Sequence, residues 1–345
     1  MFGTIFSISS SHWLGVWAGL EINLIGFLPV LVYQKRASER ESAVKYFIVQ
    51  ALGSGLLIFG SLTGCSLSFT WEMLVTDPSF SFAVIMRGLV TKMGMFPFHF
   101  WLPRVIAGLP WFSCLMLATW QKLAPLLLIT SLIEIVALYP FLLFVCLMAS
   151  ASSLVGGIGG INQTQVRAIL AYSSIGHLGW IMFASSQRTW RVKTYFRIYV
   201  LISVTVFSTL WALDLANTKR IARLLSSSSF AAFALLTILL SLAGLPPMLG
   251  FISKWVVVYS SVIGPYWPFL FALLIGSLLR LFYYLSLYFS VFLGTTKGMF
   301  VGVQKMSSYQ ATINTGLALN LLGGTALIFL NVAREFYALI IFDKP

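Results

Sequence analysis

RGLVTKMGMFPFHFWLPRVIAGLPWFSCLMLATWQKLAP, residues Arg87 to Pro125, sets Lys92 and Lys122 inside two long apolar runs and interrupts the first run at Gly94 and Pro97. A lysine at the depth of a bilayer core is costly unless it meets water, an acid or a cavity. A helix broken by proline survives in lipid only where the freed backbone groups are buried in protein or line a wet cavity. The two features together predict a polar path inside a membrane. The competing reading is a snorkelling lysine beside a proline kink.

The whole chain agrees with a membrane setting. Its 345 residues are 59% hydrophobic and 9% charged, against about 25% charged in soluble domains, and mean hydropathy is +0.93. Several apolar runs reach the roughly 20 residues a spanning helix needs, and the short alternating segments of a β-barrel are absent. The expected class is therefore an all-α polytopic membrane protein with about 10–11 transmembrane helices. The net charge of +13 is scattered over short loops, with no basic stripe or recognition motif, so nucleic acid is not an expected partner. Cys65, Cys114 and Cys146 form no CxxC and no ligand pattern, which argues against metal or iron–sulfur sites and a disulfide framework. MFGTIFSISSSHW at the N-terminus has neither a transit-peptide nor a signal-peptide pattern, as expected of direct insertion, including insertion from inside an organelle.

In chain order, Met1–Ser10 is too short to span and reads as the stub of a helix. Spans follow at about Trp13–Tyr33, Ala43–Gly64, Phe80 to the break at Pro97, Leu109–Thr130, Leu132–Val155, Val166–Ala184, Thr194–Leu213, Phe230–Ile263, Pro265–Leu293 and Ile313–Val332. Glu72 and Asp77 fall in a polar loop, Glu134 reads as a solvated acid at a turn, and GGIGG (Gly156–Gly160) reads as a flexible loop. The eighth span is also interrupted, at Gly244, Pro246 and Pro247, with Lys254 just beyond. Counting the stub, the broken helix is fourth in residues 1–131 and fourth in 132–293. Paired discontinuous segments point to an internally repeated transporter, and five spans per repeat require opposite topologies. Residues 294–345 would add a loop, the last span and a tail to this single membrane domain. Lys35, Arg36, Arg40, Lys45, Arg104, Arg167, Lys219, Arg220, Arg223, Lys297 and Lys305 fall on one face; Arg188, Arg191, Lys193, Arg197, Arg334 and Lys344 fall on the other. The first face is expected on the matrix or cytoplasmic side.

Glu21, Lys92, Lys122 and Lys254 each lie in an otherwise apolar segment. Burial disfavours the charged form of acid and amine alike, and a nearby opposite charge restores it. Movement of Glu21 relative to Lys92 would therefore switch the proton affinity of the lysine, the chemistry a proton relay needs. The alternative is a static Glu–Lys pair with snorkelling lysines. Arg87 and Arg280 hold their protons and suit pinning helix ends or tuning a neighbour. His12 lies at a helix start. His99 and His177 are further relay candidates, with structural histidines or bis-histidine haem ligation as the other readings.

GLEINLIGFLPVL (Gly19–Leu31), KMGMFPFHFWLP (Lys92–Pro103), TWQKLAP (Thr119–Pro125), GGINQTQVRAILAYSSIGHLGW (Gly159–Trp180) and GLPPMLGFISKW (Gly244–Trp255) carry a resemblance over most of the chain. It resembles the animal-type NADH dehydrogenase subunit 2 family, antiporter-like proton-pumping subunits of mitochondrial respiratory complex I related to cation/proton antiporters. The resemblance implies that Glu21 and Lys92 form the coupling pair, Lys122 the central relay and Lys254 the lysine of the second half-channel. Arg104 stands where vertebrate members usually have an acid, Ala168 where they usually have a lysine, and the short N-terminus leaves the first helix incomplete. It further implies residence in the inner mitochondrial membrane among lipids and other membrane-arm subunits. NADH, FMN, iron–sulfur clusters and ubiquinone would be handled by partner subunits, with no cofactor in this chain. A free-standing cation/proton antiporter and a non-pumping structural subunit are the rival readings.

Overall fold

The computed structural model describes residues 1–68, 80–136, 139–213, 229–261, 266–292 and 313–325. All regular elements among them are helical: α1 (Phe2–Ser9), α2 (Trp13–Leu31), α3 (Ala37–Ser68), α4 (Phe80–Met93), α5 (Trp101–Gly108), α6 (Trp111–Ala118) and α7 (Trp120–Val136). They continue with α8 (Tyr139–Gly160), α9 (Val166–Ser185), α10 (Thr189–Leu213), α11 (Ser229–Ala243), α12 (Leu249–Ser261), α13 (Trp267–Phe292) and α14 (313–325). Seven of the described helical segments are long and apolar enough to cross a membrane. The remaining spans are shorter because they are broken or only partly described. Glu72, Asp77, Lys219, Arg220, Arg223, Lys297, Lys305, Arg334, Lys344 and the end of the tenth span lie outside the described residues.

Three sequence expectations need correction. The fourth span runs on through α7 to Val136, and the fifth begins at Tyr139. Glu134 accordingly sits in the last turn of α7, although it is exposed as expected. Gly156–Gly160 is no loop but the last turn of α8. Its glycines permit helix backbones to touch: a Cβ on Gly156 would lie 2.6 Å from the Gly176 nitrogen of α9. Small residues at such contacts let membrane helices pack closely without a hydrophobic driving force.

Both breaks close in the same way. Gly94 and Gly244 have φ of +73° and +84°, a left-handed conformation that glycine adopts without a Cβ penalty. The Gly94 nitrogen donates to Thr91 O at 3.2 Å and the Met95 nitrogen to Val90 O at 3.3 Å. At the second break, Gly244 donates to Ser241 O at 3.0 Å and Leu245 to Leu240 O at 3.5 Å. Each is a Schellman ending, which satisfies some of the last carbonyls and leaves others open. Side chains take up the remainder. Trp101 Nε1 donates to Thr91 O at 3.1 Å and Gln50 Nε2 to Lys92 O at 3.2 Å; at the second break the Lys254 amine donates to Ala243 O. A cation at a helix C-terminus is favoured by the macrodipole. Trp101→Phe removes one of these donors in a dry place. It is expected to cost roughly 1–3 kcal/mol, read as a lower temperature for heat-induced loss of this subunit from its native assembly.

The apolar interior divides into two layers. One cluster holds Phe27 and Leu31 of α2, Leu102–Leu109, Trp111–Ala118, Val166–Ile175, Ile202–Leu210 and Tyr283–Leu287. The other holds Trp13–Leu20, Phe82–Met95, Ala124–Ile133, Leu178–Ala184, Val192–Tyr199 and Leu270–Leu273. Nearly every long helix contributes its two ends to different clusters, so the residues between them form a layer at mid-depth.

Candidate functional site: a buried polar layer

That middle layer collects the polar side chains. Lys92, Lys122 and Lys254 are buried at 6%, 2% and 8% exposure, so none of them snorkels to the surface. Glu21, on α2 between the two clusters, is half-buried. Its carboxylate is near enough to interact electrostatically with the Lys92 amine, but the two do not form an ion pair. The two residues paired in the sequence reading are thus within electrostatic range but not in contact as an ion pair. Between this end and the centre, Asn23 Nδ2 donates to Gln121 Oε1 at 2.7 Å and the Tyr46 hydroxyl to the same oxygen at 3.3 Å. Gln121 is the neighbour of Lys122 in the chain.

From Lys122 the layer continues as a row of polar groups, hydrogen-bonded at Lys122–Ser174 and His177–Tyr195 and otherwise in proximity. Lys122 Nζ donates to Ser174 Oγ at 3.1 Å, and Ser174 Oγ donates to Ala171 O at 2.7 Å. The hydroxyl of Tyr199 donates to Ala118 O at 3.5 Å and lies near Ser174 and Ser203; its ring lies 5.2 Å from that of His177, centroid to centroid. His177 Nδ1 is 3.0 Å from the Tyr195 hydroxyl, and Tyr195 in turn interacts with Ser253, next to Lys254. His177 lies within the fields of Lys122, Lys254 and Arg280 together. His177 Nε2 has no hydrogen-bond partner among the described residues, so the imidazole is bonded through Nδ1 alone; a ring that can donate or accept, set between two lysines, suits a proton-transfer role.

Arg280 is 1% exposed. Its Nε donates to Gly276 O at 3.3 Å, while Nη1 and Nη2 have no partner among the described residues. It lies near enough to Lys254, His177 and Tyr195 to act on them electrostatically, a fixed charge beside titratable groups. His99 is not brought into the line. It is buried at the first break, its ring 4.0 Å from that of Phe100, and its Nδ1 has no partner among the described residues. Arg87 and His12 are exposed. Tyr195, Tyr199, Ser174, Gln50 and Gln121 were not singled out from sequence. The signal available for them was weak: polar residues inside apolar spans, in FIVQAL, WQK, AYSSIGH and TYFRIYV.

The model of the family described as NADH:quinone oxidoreductase/Mrp antiporter, TM matches residues 10–280. NADH-ubiquinone oxidoreductase chain 2 of Lumbricus terrestris is 38% identical over 288 residues, covering 83% of this chain and 83% of the relative. This chain belongs to the NADH-ubiquinone oxidoreductase chain 2 family. Another member of the chain 2 family, from Locusta migratoria, is 38% identical over 292 residues, 84% of this chain and 82% of its own. Among solved structures, a chain of respiratory complex I from Thermus thermophilus superposes with a TM-score of 0.80 at 25% identity. That match covers 94% of this chain and 75% of the other. A chain of the Mrp complex from Dietzia sp. gives 0.78 at 17% identity, covering 94% of this chain and 74% of its own. It shows that the helical fold of the chain 2 family is shared with that complex. Blocks quoted for the resemblance, from Gly19 to Trp255, fall within the family match.

Proposed function

We propose that this chain is a core membrane-arm subunit of mitochondrial complex I that moves protons across the inner membrane. Electron transfer from NADH to ubiquinone, and the cofactors for it, belong to partner subunits. The observation that carries this reading is the buried row of polar groups Lys122, Ser174, Tyr199, His177, Tyr195, Ser253 and Lys254 at mid-depth, hydrogen-bonded at Lys122–Ser174 and His177–Tyr195 and otherwise in proximity, with Glu21 and Lys92 at its other end. Glu21 and Lys92 act as the coupling pair, Lys122 as the central relay, His177 as the link and Lys254 as the lysine of the second half-channel. His99 stays outside the relay.

Residues 1–131 and 132–293 are two inverted repeats on this reading. Its support is the matched geometry of the two breaks, each with a left-handed glycine and a Schellman closure. The line would carry protons against a potential worth roughly 2.3 kcal/mol per charge per 100 mV. Co-migration of the chain with a large NADH-oxidising assembly from native membranes tests membership, and transport activity of the isolated chain would instead favour a free antiporter. The link is tested by Tyr195→Phe, which keeps the ring but deletes the hydroxyl between His177 and Ser253. The rate of NADH-driven proton uptake or the protons taken up per NADH oxidised should fall measurably in vesicles carrying the assembled variant; a wild-type rate and ratio would remove Tyr195 from the path.

A further inference from the structure

Away from the buried line, a cavity of about 410 Å³ opens where the end of α7, the start of α8 and the α9–α10 turn meet. Small-ligand sites have volumes in this range. Its walls include Ile133, Glu134, Leu142, Gln187, Arg188 and Trp190. All the segments that build it are ends of apolar spans, so it lies at a membrane edge. Trp190, 45% exposed, stands where amphipathic rings gather at headgroup level.

The charges in and beside the cavity are separated. Glu134 on α7 and Arg188 on the turn are both exposed and form no ion pair with each other. Arg191 lies close enough to Arg188 to repel it. It is nevertheless held in place: its Nη1 donates to Gln187 Oε1 at 2.8 Å, and its guanidinium lies 5.4 Å from the Trp190 ring centroid. Gln187 Oε1 is itself fixed by the Ser260 hydroxyl at 2.6 Å. Two guanidiniums are therefore kept near each other with no acid between them, while a carboxylate waits on another helix. Such a site matches a ligand with an anionic and a cationic end.

We propose that this cavity holds the headgroup of a phosphatidylethanolamine lipid, phosphate toward Arg188 and primary ammonium toward Glu134. A purely anionic headgroup would leave Glu134 facing like charge. A quaternary ammonium has no N–H to donate to the carboxylate, whereas a primary ammonium has three. Ile133 and Leu142 give the start of the acyl chains an apolar wall.

The test uses the assembled complex in native membranes, labelled with diazirine-bearing phosphatidylethanolamine or phosphatidylglycerol and mapped by mass spectrometry. Label from phosphatidylethanolamine should fall on peptides containing Ile133–Glu134 or Gln187–Trp190 and exceed that from phosphatidylglycerol. Arg188→Glu should reduce it about tenfold or more, the loss of a charge-assisted contact. Glu134→Gln, nearly isosteric, should keep labelling by both lipids but erase the preference, and it decides the matter should the Arg188 variant fail to assemble. Soluble phosphoethanolamine should not compete. Equal labelling by the two lipids, no label on these peptides, indifference to the Glu134 substitution or full competition by the soluble headgroup would overturn the proposal.

Discussion

Lys122→Met is expected to leave the assembled complex intact while the rate of NADH-driven proton uptake through this subunit falls at least about tenfold, with quinone reduction slowing if coupling is tight. A positioned proton-transfer group typically contributes 10²–10⁴-fold, and about tenfold is a conservative floor. Assembly should survive for a local reason. Methionine nearly matches the length and apolar stem of Lys122, which is almost wholly buried. Ser174 keeps its own bond to Ala171 O when the amine is gone, so no hydroxyl is stranded. What disappears is the titratable amine bonded to that serine. Lys122→Arg should not restore pumping, because guanidinium keeps its proton. The measurement is proton uptake and NADH oxidation in vesicles carrying each variant; an unchanged ratio and rate in the methionine variant would reduce Lys122 to scaffolding.

Gly179→Leu should abolish accumulation of the subunit and with it the assembled, NADH-oxidising complex. A Cβ at that position would lie 2.5 Å from Ala149 O, 2.6 Å from Ser152 Oγ and 3.0 Å from the Ser153 nitrogen. Two of these are backbone atoms of α8, which cannot step aside as a flexible side chain can. Overpacking a tight core costs roughly 1–3 kcal/mol even for added methylenes, and here α9 would have to leave α8 altogether. Because α9 carries Ser174 and His177, the polar line would be displaced with it. Gly26→Leu is the control, since a Cβ there meets nothing within 4 Å. In-gel NADH oxidation after native electrophoresis reads both variants, and equal assembly would show that the α8–α9 contact tolerates separation.

Much of this was readable in the chain itself. Hydropathy marks the spans, since any run of some twenty apolar residues must find lipid or protein rather than water. The breaks at Gly94–Pro97 and Gly244–Pro247 follow from glycine and proline chemistry, and both appear as helix endings in the structure. Intramembrane Glu21, Lys92, Lys122 and Lys254 stand out because charge is rare at that depth. The misread elements were those in which composition and packing disagree. Gly156–Gly160 looks flexible in isolation, yet it is helical and closely packed, with the α9 and α13 backbones against Gly156 and Gly157 and the rings of Tyr172 and Tyr283 against Gly159 and Gly160. Lys254 was legible as an intramembrane charge beside a break, but not its bond. In the fold it caps that break, through the Ala243 carbonyl.

Side chains from α7, α9, α10 and α12 meet in the line from Lys122 to Lys254, and no spacing in the chain relates Ser174 to Lys122 or Tyr195 to Ser253. The sequence by itself determined that this is a membrane helical bundle with charges and broken helices in its interior, because lipid penalises unsatisfied polar groups residue by residue. Only the tertiary structure decided which of those groups face one another: that His177 joins the line, that His99 does not, and that Glu21 stands near Lys92 without pairing. Contact between side chains far apart in the chain depends on how helices rotate and approach, and that is settled by packing across the whole bundle.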